Sequence, residues 1–301
     1  MPVLLREVLR ELDLRPGLVV VDGTVGAAGH AHQIHPRIQP GGRLIGLDRD
    51  PLMLRHAGAR MADTDCELVH SPYSHLRQVL DDRGIGRVDR VLLDLGLSSD
   101  QLADRQRGFG YDAGGPLDMR FDTTQGEPAA EWLARVDEAE LARALSEYGE
   151  VPHAARLAAD ICQARRTRPP RTTADLLAIV EPTARGGGGR PRTERTGANK
   201  SSAPQVFQTL RIVVNRELDH LREFLDETLP ACLEPGGRVA IISFHSIEDR
   251  MVKQALRPAA GWEPTTRKPV EATPSEVRFN PRSRSARLRV ATRVTQLADR
   301  T

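Results

Sequence analysis

Short apolar runs that end at an acidic residue recur through the first third of the chain. The predicted strands are residues 18–21 before Asp22, 43–47 before Asp48 and 88–93 before Asp94, and the residue directly before each acid is apolar. Residues 67–70 predict a further strand, and helical stretches separate these runs. Strands this apolar, alternating with helices, predict a parallel sheet that is covered on both faces. Ligands bind at the carboxyl ends of the strands in such sheets, which is where the three carboxylates stand.

From residue 107 to residue 200 the pattern becomes helical. Alanine, arginine and glutamate dominate this part, and residues 131–135 and 138–148 predict helices. It ends in a glycine-rich polar loop at 186–202. The range 107–200 is therefore predicted to be a helical insertion in the sheet domain.

Sheet-like patterning resumes after the loop. Apolar residues recur with helical spacing over 206–225, which predicts one amphipathic helix. Further elements are expected in this order: a turn at 233–237, a strand at 238–244, a helix at 247–256 and a final edge strand at 286–294. We thus expect an α/β fold in which residues 1–106 and 201–301 build one domain.

Composition narrows the class of protein. Of the 301 residues, 39% are hydrophobic and 28% are charged, as in ordinary globular domains, and the aromatic fraction of 4% argues against a large stacking platform for nucleic acid. No apolar run is long enough to span a membrane, and the N-terminus lacks the pattern of a secretory signal. The three scattered cysteines argue against a disulfide framework and a cysteine-rich zinc site. A reducing cytoplasm fits best.

Arginines are concentrated in three stretches although the net charge is only +2. The stretches are residues 165–171, residues 185–200 and residues 278–300. Such arginines suit phosphate contacts, which favours a nucleic-acid partner, but solvated loops of the same composition are an equally good interpretation.

The turn after the first predicted strand is rich in small residues. Gly23, Gly26 and Gly29 allow a ligand to approach the backbone closely. Asp48 follows at about the distance at which an acidic residue accepts hydrogen bonds from a ribose diol. A dehydrogenase shows a similar combination, but the spacing differs from Gly-x-Gly-x-x-Gly and no hydride-transfer site follows.

The segment that follows the fourth strand is a candidate for orienting the substrate group that reacts. In a methyltransferase, transfer to an exocyclic amine needs the nitrogen lone pair aimed at the methyl group and a polar acceptor for the amine hydrogens. Asp94, Ser98, Ser99 or a backbone carbonyl supplies such an acceptor. The competing interpretation is that Asp94 caps the next helix.

Several histidines have more than one interpretation. His245 and Glu248 follow a predicted strand and are candidates for binding substrate, or His245 is a hydrogen-bonded structural residue. His30, His32 and His35 lie close in sequence, but no carboxylate or cysteine completes a convincing ligand set, so no metal is expected.

Motifs along nearly the whole chain resemble those of the bacterial ribosomal RNA small-subunit methyltransferase H family, also called MraW (RsmH). The matching segments are PVLLREVL (2–9), VDGTVGAAGH (21–30), LIGLDRDP (44–51), VLLDLGLSSDQL (91–102), RGFGYDAGGPLDMRFD (107–122), FQTLRIVVNREL (207–218), GGRVAIISFHSIEDRMVK (236–253) and NPRSRSARLRV (280–290). The resemblance implies a class I methyltransferase fold with a mostly parallel, Rossmann-like sheet and an inserted helical domain for substrate recognition. It also implies methylation of the N4 amine of a cytidine in the decoding centre of 16S rRNA, within the small ribosomal subunit.

The cofactor implied by the resemblance is S-adenosylmethionine. Transfer of the family's motifs predicts these cofactor contacts: Ala28, Gly29, His30, Asp48, Tyr73, Asp94 and Gln101. Asp94, Ser98 and Ser99 are the residues predicted to orient the amine. The oligomeric state stays open, with a homodimer among the states that the sequence allows.

This chain departs from the family's pattern at a few positions. Ala28 stands where the glycine-rich turn usually has glycine, and Tyr73 replaces phenylalanine. Before Phe207 the chain reads Ser-Ser-Ala-Pro-Gln-Val (201–206), so Gln205 stands where the family has an arginine. Two alternatives therefore remain: a paralogue that methylates another RNA cytidine, and a non-catalytic RNA-binding factor of ribosome assembly.

Overall fold

An eight-stranded sheet is the framework of the first of two units in this computed structural model. The structure describes residues 2–110, 114–181 and 202–294. One unit consists of Met1–Gly96 with Leu218–Thr301, and the other of Leu97–Glu217. The range 107–200 falls inside the second unit, and its assignment as a substrate-recognition domain stays a prediction.

The sheet is mostly parallel, as the sequence predicts. Its strands are β1 Val19–Asp22, β2 Arg43–Asp48, β3 Glu67–His70, β4 Val88–Asp94, β5 Leu233–Ser243, β6 Trp262–Pro264, β7 Val270–Glu271 and β8 Arg287–Arg293. They follow the order β3-β2-β1-β4-β5-β8-β6, with β7 also paired to β8. The first five strands pair in parallel, and β8 runs antiparallel to its three neighbours.

Helices fill the intervals between the strands. They are α1 Leu5–Glu11, α2 Ala31–Ile38, α3 Pro51–Arg60, α4 Leu76–Asp81, α5 Ser99–Ala103, α6 Ala129–Arg135, α7 Glu138–Glu147, α8 Ala154–Thr167, α9 Thr173–Val180, α10 Ala203–Asn215, α11 Glu217–Glu223, α12 Leu229–Cys232, α13 Ser246–Ala255 and α14 Pro274–Phe279. Short 3-10 segments span Tyr73–His75, Pro258–Ala260 and Pro281–Ser285, and a π-helical segment spans Phe224–Thr228.

Both faces of the sheet bury apolar side chains, which explains the continuous apolar runs in the strands. In β4, Val91 and Leu93 belong to one hydrophobic cluster, whereas Leu92 between them belongs to the cluster on the other face. Successive residues of a strand point to opposite faces, so a strand covered on both sides needs apolar residues at every position. The same condition places Asp22 and Asp48 at the carboxyl ends of β1 and β2, whereas β4 also contains Asp89 and the buried Arg90 near its start.

Two expectations about the sheet are wrong. Residues 286–294 were expected to form an edge strand, but β8 lies between β5 and β6, because the short strands β6 and β7 carry too little pattern to be predicted. The expected turn at 233–237 belongs to β5, which begins at Leu233. Val88 pairs with Leu233 and Arg90 with Arg238, so the extra residues are absorbed as an irregularity in the register.

The single helix expected over 206–225 is also wrong, because the helix breaks at Arg216. Arg216 has a φ of 50°, α10 ends one residue before it and α11 begins one residue after it. The buried Asn215 side chain donates to the carbonyl oxygen of Met119 at 2.8 Å and accepts from the amide of Phe121 at 2.8 Å. These bonds fix the end of α10 within the second unit, whose core is formed by α6–α10 and the segments before them.

The state of the cysteines and the length of the helices bear on the expectations about disulfides and membrane spans. The three cysteines, Cys66, Cys162 and Cys232, are unpaired thiols. In the part of the chain that the structure describes, no helix combines the length and the apolar character needed to cross a bilayer.

Candidate active site

Three carboxylates lie at one edge of the sheet, as predicted from the apolar runs. Asp22 ends β1, Asp48 ends β2 and Asp94 ends β4, and β1 is the common neighbour of the other two strands. The carboxyl ends of these parallel strands therefore place the three side chains around one position.

The turn after β1 is fastened to both neighbouring strands. The amide of Gly23 donates to the carbonyl oxygen of Leu92 at 2.9 Å, and the amide of Val25 donates to that of Leu47 at 2.8 Å. A Cβ at Gly23 would lie 2.5 Å from Cδ2 of Leu93, so glycine is required for this close approach. The turn thus forms a fixed backbone wall between the ends of β2 and β4.

Asp48 is oriented by two backbone amides. The amide of Gly26 donates to Oδ2 at 2.8 Å and the amide of Asp50 donates to Oδ1 at 2.9 Å. Burial raises the pKa of Asp48 to about 6, against the opposing effect of these hydrogen bonds, so the side chain is mostly ionised at neutral pH. Each oxygen keeps a lone pair, which suits the two hydroxyls of a ribose diol.

Asp94 presents an acceptor that lacks a partner. Its backbone amide donates to Oγ1 of Thr24 at 2.6 Å, whereas its Oδ1 is buried without a hydrogen-bond partner among the described residues. Burial raises the pKa of Asp94 to about 7; the positive charge of Arg282 lowers it and the negative charge of Glu248 raises it. Such an atom accepts a hydrogen bond from an amine when the carboxyl group is ionised.

His30 lies beside Asp94 as a neutral ring. Its Nε2 is 3.0 Å from the carbonyl oxygen of Val3, and its Nδ1 is 3.6 Å from Oδ2 of Asp94. Burial lowers the pKa of His30 to about 4, so the proton resides on Nε2, which faces the carbonyl acceptor. Because 3.6 Å exceeds hydrogen-bond distance, His30 borders Asp94 without satisfying its carboxylate.

Asp22 holds its proton more tightly than the other two acids. Its side chain accepts a long hydrogen bond from the amide of Thr24, at 3.3 Å. Burial raises the pKa of Asp22 to about 8, and the charges of Asp94 and Asp48 add to this. Asp22 is therefore mostly neutral at pH 7, and it was not among the predicted site residues.

The remaining predicted contacts of the first unit border the same turn. Ala28 is buried with a φ of 58°, a left-handed conformation that favours glycine, which is the residue that the family resemblance leads us to expect at this position. A Cβ at Gly29 would lie 2.8 Å from Cγ of Pro2, so the N-terminal segment packs on the turn. The rings of Tyr73 and Phe224 pack edge to face with their centroids 5.4 Å apart. The Cβ of Tyr73 lies 3.1 Å from the position that a Cβ at Gly23 would take.

Ser98, Ser99 and Gln101 belong to the second unit, so the geometry around Asp94 does not test their predicted roles. Oγ of Ser98 accepts from the amide of Gln101 at 3.0 Å, and Oε1 of Gln101 accepts from the amide of Ser98 at 2.8 Å. This reciprocal pair caps the N-terminus of α5, which is a structural role for both side chains. Ser99 is exposed at the first position of that helix.

The neighbouring end of β5 contains one residue that the sequence predicted as a site candidate, His245, and one that it did not, Phe244. His245 caps α13 in a reciprocal arrangement with Glu248, which favours the structural interpretation of His245. Phe244 was not predicted, and its Cδ2 lies 3.2 Å from the position of a Cβ at Gly96, directly after β4. Thr24 was also missed; a hydroxyl within the glycine turn was the available signal.

The arginines of the described stretches differ in what their side chains contact. Arg165 donates to the carbonyl oxygens of Leu133 and Val136 at 2.6 Å each, so it stabilises helix ends rather than facing a ligand. In the last stretch, Arg287 and Arg289 pair with Asp249. Exposed arginines in the described parts of these stretches are Arg166, Arg168, Arg171, Arg278, Arg284 and Arg287. The stretch 185–200 and Arg300 lie outside the described residues.

Histidines near the glycine turn have separate partners. His35 pairs with Asp65 at 2.6 Å, whereas His30 contacts Val3. Within the described ranges, no group of three histidine, cysteine, aspartate or glutamate side chains is arranged to hold a metal ion.

Comparisons with known proteins identify the family of this chain. The family model described as the MraW methylase family matches residues 1–294. A ribosomal RNA small subunit methyltransferase H from Symbiobacterium thermophilum is 42% identical, over 97% of this chain and 96% of the relative. The protein of the same name from Thioalkalivibrio sulfidiphilus is 43% identical, again over 97% of this chain and 96% of the relative.

Similarity to solved structures is weaker. A SAM-dependent methyltransferase from Aquifex aeolicus gives a TM-score of 0.42 at 12% identity, over 97% of this chain and 90% of that one. The assignment therefore relies on the sequence matches, and they confirm the resemblance and the class I methyltransferase fold that it implies. With a family model that spans almost its entire length, the chain belongs to the MraW methylase family.

Proposed function

We propose that the protein transfers a methyl group from S-adenosylmethionine to the N4 amine of a cytidine in the decoding centre of 16S rRNA. One observation carries the proposal: in a chain whose relatives are named ribosomal RNA small subunit methyltransferase H, Asp94 presents a buried, unpartnered Oδ1 beside the glycine turn and Asp48. A ligand with a donor group at this edge satisfies that atom.

The residues of the first unit suit S-adenosylmethionine. Asp48 would bind the ribose hydroxyls, and the backbone at Ala28 and Gly29, with His30 and the Tyr73 ring, would border the cofactor. Asp48 and Asp94, whose raised pKa values of about 6 and about 7 still leave an ionised carboxylate near neutral pH, suit a positively charged ligand. When bound, the cofactor supplies an electrophilic methyl group on a positively charged sulfur.

Asp94 performs two tasks in this proposal. Its Oδ1 accepts a hydrogen bond from the target amine and thereby aims the nitrogen lone pair at the methyl group. After the nitrogen gains a methyl group it must release a proton, and an acid with a pKa of about 7 accepts that proton at neutral pH. Ser98 and Ser99 are proposed to assist in holding the amine, since they follow Asp94 in the chain, and Gln101 to contact the cofactor.

The target base must leave its stack to reach this site. We propose that the exposed arginines of the helical unit and of the last stretch contact rRNA phosphates, because guanidinium groups bind phosphate through paired hydrogen bonds. The partner is then the small ribosomal subunit, which places the reaction in the cytoplasm. A homodimer stays a prediction.

The main alternative is that the protein methylates a different RNA cytidine. Gln205, where the family has arginine, donates to the carbonyl oxygen of Glu150 at 3.3 Å and adds no positive charge. A changed contact of this kind favours the same chemistry on another cytidine over a loss of chemistry.

Mapping methylated cytidines in cells tests the proposal. Ribosomal RNA from cells lacking the gene is compared with RNA from cells complemented with the wild type or with Asp94→Asn. We expect one decoding-centre N4-methylcytidine that returns only with the wild type. Restoration at a different RNA position indicates the paralogue, and equal ribosome assembly with both proteins but no methylation indicates the non-catalytic factor.

A further inference from the structure

Phe279 is unusually exposed for an aromatic residue. It ends α14, and 78% of its surface is accessible, more than for the other exposed large hydrophobic side chains of the described residues, Leu102 and Val294. Burying a phenylalanine side chain contributes about 2 kcal/mol, and at this position the contribution is forgone. An open phenyl ring presents a face on which a nucleobase stacks.

The backbone that carries Phe279 is held firmly on both sides. Thr273 caps α14 by accepting from the amide of Glu276 at 3.2 Å, and Oε1 of Glu276 accepts from the amide of Leu4 at 2.7 Å. After the helix, the buried Ser283 donates to the carbonyl oxygen of Asn280 at 2.8 Å. The ring therefore projects from an ordered segment, which reduces the entropy lost when a ligand stacks on it.

The same segment is positively charged next to the candidate active site. Arg278 and Arg284 flank Phe279 and are exposed, and neither forms an ion pair with a described residue. Glu276 of this segment accepts from the amide of Leu4, and the carbonyl oxygen of the preceding Val3 lies 3.0 Å from Nε2 of His30, the residue beside Asp94. The charge of Arg282, between the two exposed arginines, acts on the Asp94 carboxyl group. The segment thus extends from the edge of the site at Asp94 to an exposed aromatic ring and two guanidinium groups that have no ion-pair partner among the described residues.

We propose that Phe279, Arg278 and Arg284 form a subsite for single-stranded RNA, in which an unpaired nucleobase next to the target cytidine stacks on the Phe279 ring. The two arginines neutralise the adjoining phosphates. The inference rests on the proposed function, because the position of the subsite is defined relative to a target base at Asp94. Extruding the target leaves its neighbours partly unstacked, and the ring replaces the stacking that they lose.

Steady-state kinetics on small subunits that lack the modification test the subsite. Phe279→Ala is expected to raise the KM for the subunit about tenfold, the order of one lost stacking contact, while kcat and the affinity for S-adenosylmethionine stay unchanged. Phe279→Tyr keeps the ring and should match the wild type, whereas Phe279→Leu keeps only the apolar character and should behave like alanine. Because the side chain is exposed, the substitutions should leave stability unchanged. An unfolding temperature equal to that of the wild type confirms that each variant folds.

Each result decides between the proposals. A wild-type KM in Phe279→Ala, or in Phe279→Leu, would overturn the subsite while leaving the methyltransferase intact. Absence of methyl transfer by the wild type itself would overturn the proposed function and the subsite with it. A 2-aminopurine base next to the target in a model RNA gives a direct signal: we expect its fluorescence to fall on binding to the wild type and not on binding to Phe279→Ala.

Discussion

The backbone amide of Asp94 donates a 2.6 Å hydrogen bond to Oγ1 of Thr24 and so joins the end of β4 to the turn after β1. This bond positions Asp94 while leaving its Oδ1 without a partner among the described residues. Replacement Thr24→Val removes the acceptor but keeps the shape of the side chain. We expect kcat to fall about tenfold, because small displacements of an orienting group are costly, while the KM for the subunit stays unchanged.

Thr24→Ser is the matched control, since it keeps the hydroxyl and should retain most of the activity. Equal kcat values for the valine and serine variants would show that the bond does not position Asp94. Single-turnover kinetics are the appropriate measurement, because they separate the transfer step from product release.

The ionisation of Asp94 should set the pH dependence of methyl transfer. Burial raises its pKa to about 7, and only the ionised form accepts both the amine hydrogen and the later proton. The rate should therefore rise with pH through about 7 and level off above it. Asp94→Asn accepts a hydrogen bond but no proton, so its rate should be at least about 100-fold lower and independent of pH in this range. A wild-type profile that is flat between pH 6 and pH 8 would exclude this role.

Arg282 should lower the pH at which the rate of methyl transfer is half-maximal. Its positive charge lowers the pKa of Asp94, opposing the effects of burial and of Glu248. In Arg282→Gln the midpoint of the rate profile should move to higher pH. Arg284→Gln, an exposed neighbour on the same segment, should leave the midpoint in place even if it weakens RNA binding. Equal midpoints in the two variants would contradict the assignment.

Asp48 should control the affinity for S-adenosylmethionine. Asp48→Ala removes the acceptor of the ribose hydroxyls, and titration calorimetry should detect no binding. In the wild type, affinity should decline as the pH falls through about 6, because protonation removes one of the acceptors. Asp65→Ala, the loss of an exposed acid that pairs with His35, should bind normally. Full affinity in Asp48→Ala would remove Asp48 from the cofactor site.

Asp22 should make the protein without ligand less stable at high pH. Its folded-state pKa of about 8 lies above the ordinary aspartate pKa of 3.8, so the folded state holds the proton more tightly. Stability from this group is complete below pH 3.8 and is lost as the pH rises through about 8. Asp22→Asn should therefore unfold several degrees above the wild type at pH 9 and only slightly differently near pH 4. A difference independent of pH would indicate that Asp22 is ionised throughout.

The sequence predicts the sheet and its acidic edge well, for a physical reason. Strands buried on both faces are apolar throughout, so the first polar residue marks the carboxyl end, as at Asp22 and Asp48. The motif resemblance added Tyr73, which no periodicity identifies.

Other features depend on contacts between distant residues. The helix break at Arg216 follows from bonds that Asn215 makes with residues about a hundred positions earlier in the chain. The charge of Arg282 on Asp94, and the exposure of Phe279, likewise appear only after folding.

Methyl transfer by the purified protein is the most direct test of the central claim. Labelled S-adenosylmethionine is incubated with small subunits from cells that lack the gene, and the RNA is analysed by nucleoside mass spectrometry. We predict N4-methylcytidine at a single position in the decoding centre. No label in the RNA, from a protein that binds the cofactor, would contradict the proposed function.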